Sequence, residues 1–212
     1  MVKMNWNDFS AEVHQNAVEH GWWDERRSFG EIVALCHSEL SEALEELRAR
    51  RPMMWFACTE ADPEKPCRPE DEYDCQYYGK EVECEYRNTK PEGIAVELAD
   101  CIIRIMDWFG QEEIDVGALF AQLPKTMMCD VPAPIYASSL GDCIARWHLL
   151  ISLSFSCWGH IFGAHAAALR LALCVREIMY WAHENGVCME SILLKKHEYN
   201  KTRPYRHGGK AL

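Results

Sequence analysis

Positive charge is scarce in this chain: 22 Lys and Arg stand against 33 Asp and Glu, a net charge of -11 over 212 residues. A polyanionic nucleic acid, which is bound chiefly through cationic contacts to its phosphates, is thereby excluded as a general partner. An apolar N-terminal core is also missing. MVKMNWNDFS is polar from the start and does not resemble a secretory signal. Charge is absent altogether from residues 147 to 169, long enough to raise the question of a membrane span, but His148, His160, His165, three serines and two glycines oppose one. The expectation there is a buried helix pair turning near Trp158 and Gly159, with no membrane partner. Cysteine is not scarce. The eleven cysteines are odd in number, and Cys36, Cys101, Cys143 and Cys174 lie within apolar helical patterns, where the thiol acts as a small hydrophobe. A reducing, cytoplasmic setting follows.

Alternating strand patterns are missing too, and helical signals take their place. The spacing predicts helices over 7–21, capped by Asn7 or Asp8, and over 28–50, where Ser28 and Glu31 form a capping box. Further helices are expected near 93–112, 138–155, 161–185 and 188–203. Residues 52–92, rich in Pro, Asp, Glu, Tyr and Cys, have no sustained period and read as an inserted loop. The expected architecture is an all-α bundle forming a single domain, 1–212.

An internal repeat runs through it. With position 97 set over position 170, a shift of 73 residues, Leu98, Ala99, Cys101, Ile105, Met106 and Trp108 coincide with Leu171, Ala172, Cys174, Ile178, Met179 and Trp181. This predicts a duplication, with residues 1–120 as first copy and 121–212 as a degenerate second. In the same registers Arg170 and Leu173 stand where the first copy has Glu97 and Asp100. With Cys143 set over Cys36, Arg146 and Leu149 stand in place of Glu39 and Glu42. The second copy keeps the core and lacks the acids.

Those acids are the candidate site. On the second helix Glu39 and Glu42 run along one edge of the apolar face, and on the third Glu97, Asp100 and Arg104 do the same. If the two apolar faces pack together, four carboxylates converge on one rim. Their mutual repulsion is relieved by a cation, and Mg2+, or Mn2+ in its place, prefers oxygen ligands and leaves positions open for substrate phosphates. A single pair at this spacing is usually only a solvated helix face: Glu112 and Asp115 fit it equally well. A di-iron site would need Glu-x-x-His, which occurs nowhere in the chain. The C-terminal stretch is basic, and Lys196, Asn200 and Arg203 share one helix face suited to phosphate oxygens.

Glu39-Leu-Ser-Glu42, Glu97-Leu-Ala-Asp100, the entry GWWDERRSFGEIVALCHSELSEALEELR and the ending KHEYNKTRPYRHGGK resemble the MazG-like nucleoside triphosphate pyrophosphohydrolases. The resemblance covers about half of the chain. It implies Mg-dependent hydrolysis of an NTP or dNTP to the monophosphate and pyrophosphate, in the service of nucleotide-pool house-cleaning. It further implies metal held by Glu39, Glu42, Glu97 and Asp100, and Glu42 or Glu39 accepting a proton from the attacking water. Lys196, Asn200 and Arg203 would hold the nucleotide, and Trp23 or Trp22 would stack on its base. The chain would act as a pseudo-dimeric monomer or a homodimer. The alternative is a non-catalytic helical module that senses a nucleotide or metal. The insert carries Cys58, Cys67, Cys75 and Cys84, but no C-x2-C knuckle of the kind structural zinc sites use, so free thiols are the first expectation, with zinc or disulfides as alternatives.

Overall fold

The computed structural model describes residues 4–58, 89–123, 139–159 and 163–209. Helix α1, Trp6–Glu19, is capped by the Asn5 side chain, which accepts from the amides of Asn7 and Asp8. Its start therefore precedes the expected one. It ends on Gly21 at φ 76°, where Gly21 N bonds Val18 O and Trp22 N bonds Ala17 O. This pair of reverse bonds closes a Schellman turn, whose left-handed residue favours glycine, and turns Trp22 back onto the bundle. The Tyr205 ring lies where a Cβ on Gly21 would project.

Helix α2, Phe29–Arg48, begins with the expected capping box of Ser28 and Glu31. Helix α3, Ile94–Gln111, has Gly93 at its N-cap with φ 112° and no side-chain cap; a Cβ there would meet the carbonyls of Pro52 and Met53 at 2.8 Å. The orphan amide of Ala95 is satisfied instead by Met53 O, at 2.9 Å. A short α4, Val116–Gln122, is capped by Asp115, which accepts from Ala118 N. The acid that mimicked half of a metal pair is a helix cap. Helices α5, Leu140–Trp158, α6, Gly163–Glu184, α7, Met189–Lys201, and α8, Arg206–Gly209, complete the order.

The insert departs from the expected plain loop. Trp55–Cys58, β1, pairs antiparallel with Thr89–Glu92, β2, in the register Trp55 to Glu92 and Cys58 to Thr89. Four residues are too few to reveal an alternation, and the pair is held from outside: Trp55 Nε1 donates to Glu46 at 2.7 Å and the Lys195 ammonium stands 5.4 Å from the Phe56 ring centre. Residues 59–88 and the Cys58 side chain lie outside the described residues, so the reading of the four insert cysteines does too.

The class is all-α with this small β appendage. Helix α2 packs on α3 and α5 on α6, while α2 also meets α5, and α3 is enclosed by α1, α2, α6 and α7. One core runs through both halves, from Phe9 and Leu40 through Ile102 and Ile105 to Leu150, Leu171 and Leu193. Cys36, Cys101 and Cys174 sit in it as fully buried thiols. Among the described residues no helix is long and apolar enough to cross a membrane.

Candidate functional site

Packing α2 on α3 brings Glu39, Glu97 and Asp100 together, each offering an oxygen within 4.8 Å of the others. Glu39 and Glu97 are buried and Asp100 is half-buried. Glu42, one turn beyond Glu39, is exposed and outside this group; its carboxylate accepts from Ser38 Oγ at 3.0 Å. Three of the four expected acids thus converge, with the fourth at their edge.

Two cations already face the acids. Arg104 Nε donates to Glu39 Oε1 at 3.0 Å, and Lys196 Nζ, 2% exposed on α7, lies 2.8 Å from Asp100 Oδ2. Burial works against both cations, but the neighbouring carboxylates outweigh it and raise both pKa values. The acids respond in the opposite sense. Burial, with the charges of Asp100 and Glu42 beside it, pushes Glu39 up to about 6 despite Arg104. Burial and Asp100 push Glu97 up to about 9, against the pull of Lys196. Glu97 therefore holds a proton at neutral pH, which it shares with Glu92.

Glu92 is a site residue that sequence reasoning missed. It arrives on β2, where Lys90 Nζ also reaches it at 2.5 Å. Nothing in the irregular insert marks it out, because its position depends on the strand pairing.

Beside the acids opens a narrow cleft, about 70 Å³ in volume, walled by Asp100, Ile103, Arg104 and Asp107 of α3, by His197, Asn200 and Arg203, and by Val13, Asn16, Ala17 and Trp22. Asn200 and Arg203 stand in it as the basic ending suggested, while Lys196 is engaged with Asp100. Asn200 Oδ1 and His197 Nε2 are buried and have no hydrogen-bond partner among the described residues. Trp22 forms the aromatic wall, with the Arg27 guanidinium 4.9 Å from its ring centre. Trp23 lies outside: it lines a separate hollow with Arg26, Trp108 and Trp158, and its indole Nε1 donates to Asp107 Oδ1 at 2.9 Å. A tandem Trp pair at a helix end cannot be sorted from sequence, since the Schellman turn decides which ring faces the cleft.

The donor set suits a hard cation. All three converging groups are carboxylates, and two of them have pKa values raised by burial and by like-charged neighbours, a penalty that a divalent ion relieves. Glu39, Glu97 and Asp100 are the residues that would hold it, on deprotonation of Glu97. Fold and site together define a helical protein with a buried carboxylate rim opening on a polar cleft. No family model, curated protein or solved structure matches the chain.

Proposed function

We propose that the protein hydrolyses a nucleoside triphosphate to the monophosphate and pyrophosphate, as its resemblance to MazG-like enzymes implies. The observation that carries this reading is the convergence of Glu39, Glu97 and Asp100 at a cleft walled by Asn200 and Arg203. Magnesium held there would supply charge neutralisation for the polyphosphate and a more acidic water. The chain's own residues do the rest. Lys196, which holds Asp100, would supply positive charge beside the phosphates, and Arg203 would steady the charge that builds on the leaving pyrophosphate. Glu42, exposed at the rim, would take a proton from the attacking water, with Glu39 as the buried alternative.

Duplication belongs to this reading and gains support from charge. The registers that set Glu39 against Arg146 also set Arg104 against Glu177. Arg104 binds Glu39 in the first half, and Arg146 binds Glu177 through two bonds of 2.7 Å in the second. The same two positions are paired with their signs exchanged. The second half thus keeps the ion pair, loses the acids, and contributes Lys196 and Asn200 from α7 and Arg203 just beyond its end.

A second reading has its own observation. Arg104 and Lys196 already balance two of the acids and Glu97 carries a proton, so the rim is close to neutral without metal. That arrangement suits a module that binds a nucleotide without hydrolysing it. The discriminating experiment is pyrophosphate release from a panel of NTPs and dNTPs, with and without Mg2+. Metal-dependent release supports hydrolysis, and tight binding without release supports the sensor.

A further inference from the structure

Burial explains why one side of α5 carries little charge and leaves the other side unexplained. Ile144, Trp147, Leu150, Ile151 and Ser154 face the core. Leu149 and Phe155 face outward, 44% and 52% exposed, and the exposed positions Ala145, Ser152 and Ser156 lie on the arc of ~120° between them. No charged residue follows Asp142 on that arc. Among the described residues no other helix exposes two large apolar side chains to this degree.

The first half of the chain shows what such a helix carries when its face is free. The register that sets Cys143 over Cys36 sets Leu149, Ser152 and Phe155 over Glu42, Glu45 and Arg48, all three exposed on α2. Loss of the acid rim accounts for Glu42 alone. Glu45 and Arg48 pair with each other on the surface at 2.7 Å and have no part in the rim. An exposed ion pair that drifts without constraint passes to other polar residues, because an aromatic ring on a free surface gains nothing there and promotes aggregation. Phe155 in place of Arg48 is the mark of a surface that something covers. The register belongs to the duplication proposed above, whereas the exposure of Leu149 and Phe155 stands without it.

We propose that the outer face of α5 is a docking surface for a second copy of this chain, met about a twofold axis with α5 against α5. Charge argues for this occupant. At a net charge of -11 two copies repel one another, and the repulsion is least where neither presents an acid. A basic partner would be drawn to the acidic remainder of the surface instead. A lipid headgroup layer favours Lys or Arg beside the apolar residues, and residues 147–169 have none. In an isologous contact each Leu149 and Phe155 finds the same uncharged face opposite. Helix α2 widens the face on the Phe155 side. His37 Nδ1 lies 2.6 Å from His148 Nδ1 and His37 Nε2 lies 3.3 Å from Ser152 Oγ, and the exposed α2 residues near His37 in sequence, Ala34, Ser38 and Ser41, are uncharged too. The 19 residues of α5 are ~28 Å long, and two helices each ~10 Å wide offer ~560 Å² per chain. That is below the ~800 Å² of a standard interface, so the dimer is a weak one with micromolar dissociation.

The test is sedimentation equilibrium of the full chain under reducing conditions, from about 5 to about 500 µM, a range over which mass action carries a micromolar association from mostly monomer to mostly dimer. The average mass should rise from one chain toward two. Leu149→Glu with Phe155→Arg, which restores the residues of the first copy, should hold the mass at one chain throughout, with helicity and the melting midpoint at low concentration unchanged. If the double variant loses helicity, Leu149→Glu alone is the variant to read, and it should weaken association at least about tenfold. Leu194→Glu, at the exposed apolar residue of α7, should leave the dimer intact. A wild type that stays monomeric at the highest concentration overturns the proposal, and co-sedimentation of that monomer with phosphatidylcholine vesicles would give the face to a lipid surface. Dimerisation that survives in the α5 variants, or that Leu194→Glu abolishes, places the contact elsewhere and overturns it too. Mass is read without substrate, so a failure of pyrophosphate release leaves the dimer standing, and a monomeric wild type leaves the hydrolysis reading standing.

Discussion

Lys196, on a helix of the second half, puts its ammonium 2.8 Å from Asp100 of the first, and both lie where water reaches them little: the side chains are 2% and 17% exposed. A buried cation held by one carboxylate is a stability liability once that carboxylate is changed. Asp100→Asn is expected to abolish Mg-dependent pyrophosphate release and also to destabilise the fold by ~3 to 5 kcal/mol, because it strands Lys196. Adding Lys196→Met, of similar length and no charge, should return most of the thermal midpoint and none of the activity. A double variant no more stable than Asp100→Asn would show that the pair does not carry the liability.

Glu42→Gln separates chemistry from packing more cleanly. The residue is exposed and, among the described residues, bonded only to Ser38 on its own helix, so the melting temperature should move little, while turnover should fall by at least about a hundredfold if the carboxylate takes the proton. Glu112→Gln, at an exposed position beyond the end of α3, should leave both unchanged. Normal turnover in Glu42→Gln would transfer the role to Glu39.

Acidity gives a prediction that needs no substrate. Glu97 has a folded pKa of about 9 against an ordinary value of 4.5, so between those limits the folded chain holds a proton that the unfolded chain has lost. The stability from neutral Glu97 is fully present below pH 4.5, declines through neutrality and is gone above about 9. In chelator, denaturant unfolding should show this fall, at most ~1.4 kcal/mol per pH unit, and Glu97→Gln should flatten it. Mg2+ should compress the slope in the wild type by favouring the ionised form. A wild-type stability that rises across this window would mean that Glu97 is ionised and paired in the metal-free protein.

How much of this was legible depends on the range of the interaction that fixes each feature. Ser28 and Glu31 announce α2 because a capping box is complete within four residues, and the acids of α2 and α3 can be assigned to one edge because helical period alone places them. Asn5 was passed over since Asn7 and Asp8 are equally good caps on local grounds, and only the backbone decides. Glu92 and β1 depend on a pairing across the insert, which no window along the chain contains. Asp107 continues the stripe of Glu97, Asp100 and Arg104, a signal present in the sequence, but the side chains that fix it, Trp23 and His14, lie 84 and 93 residues away.

The division of labour between the halves yields the last prediction. Lys196, Asn200 and Arg203 all lie beyond residue 120, and the α3 face that carries Asp100 is covered by α7. Residues 1–120 expressed alone would expose that apolar face together with the α2 surface that α5 covers, and should aggregate or remain inactive. In the intact chain the second half cannot form an equivalent rim: Arg146 is committed to Glu177, and Leu149, Arg170 and Leu173 offer no oxygen ligand. Titration with a non-hydrolysable triphosphate in Mg2+ should therefore saturate at one nucleotide per chain. Arg146→Met should destabilise the fold, by leaving Glu177 without the two bonds it accepts, and Arg146→Met with Glu177→Leu should recover much of the loss, in both cases with KM unchanged. A stoichiometry of two, or a KM that follows Arg146, would put a working site in the second half and end the pseudo-dimer reading.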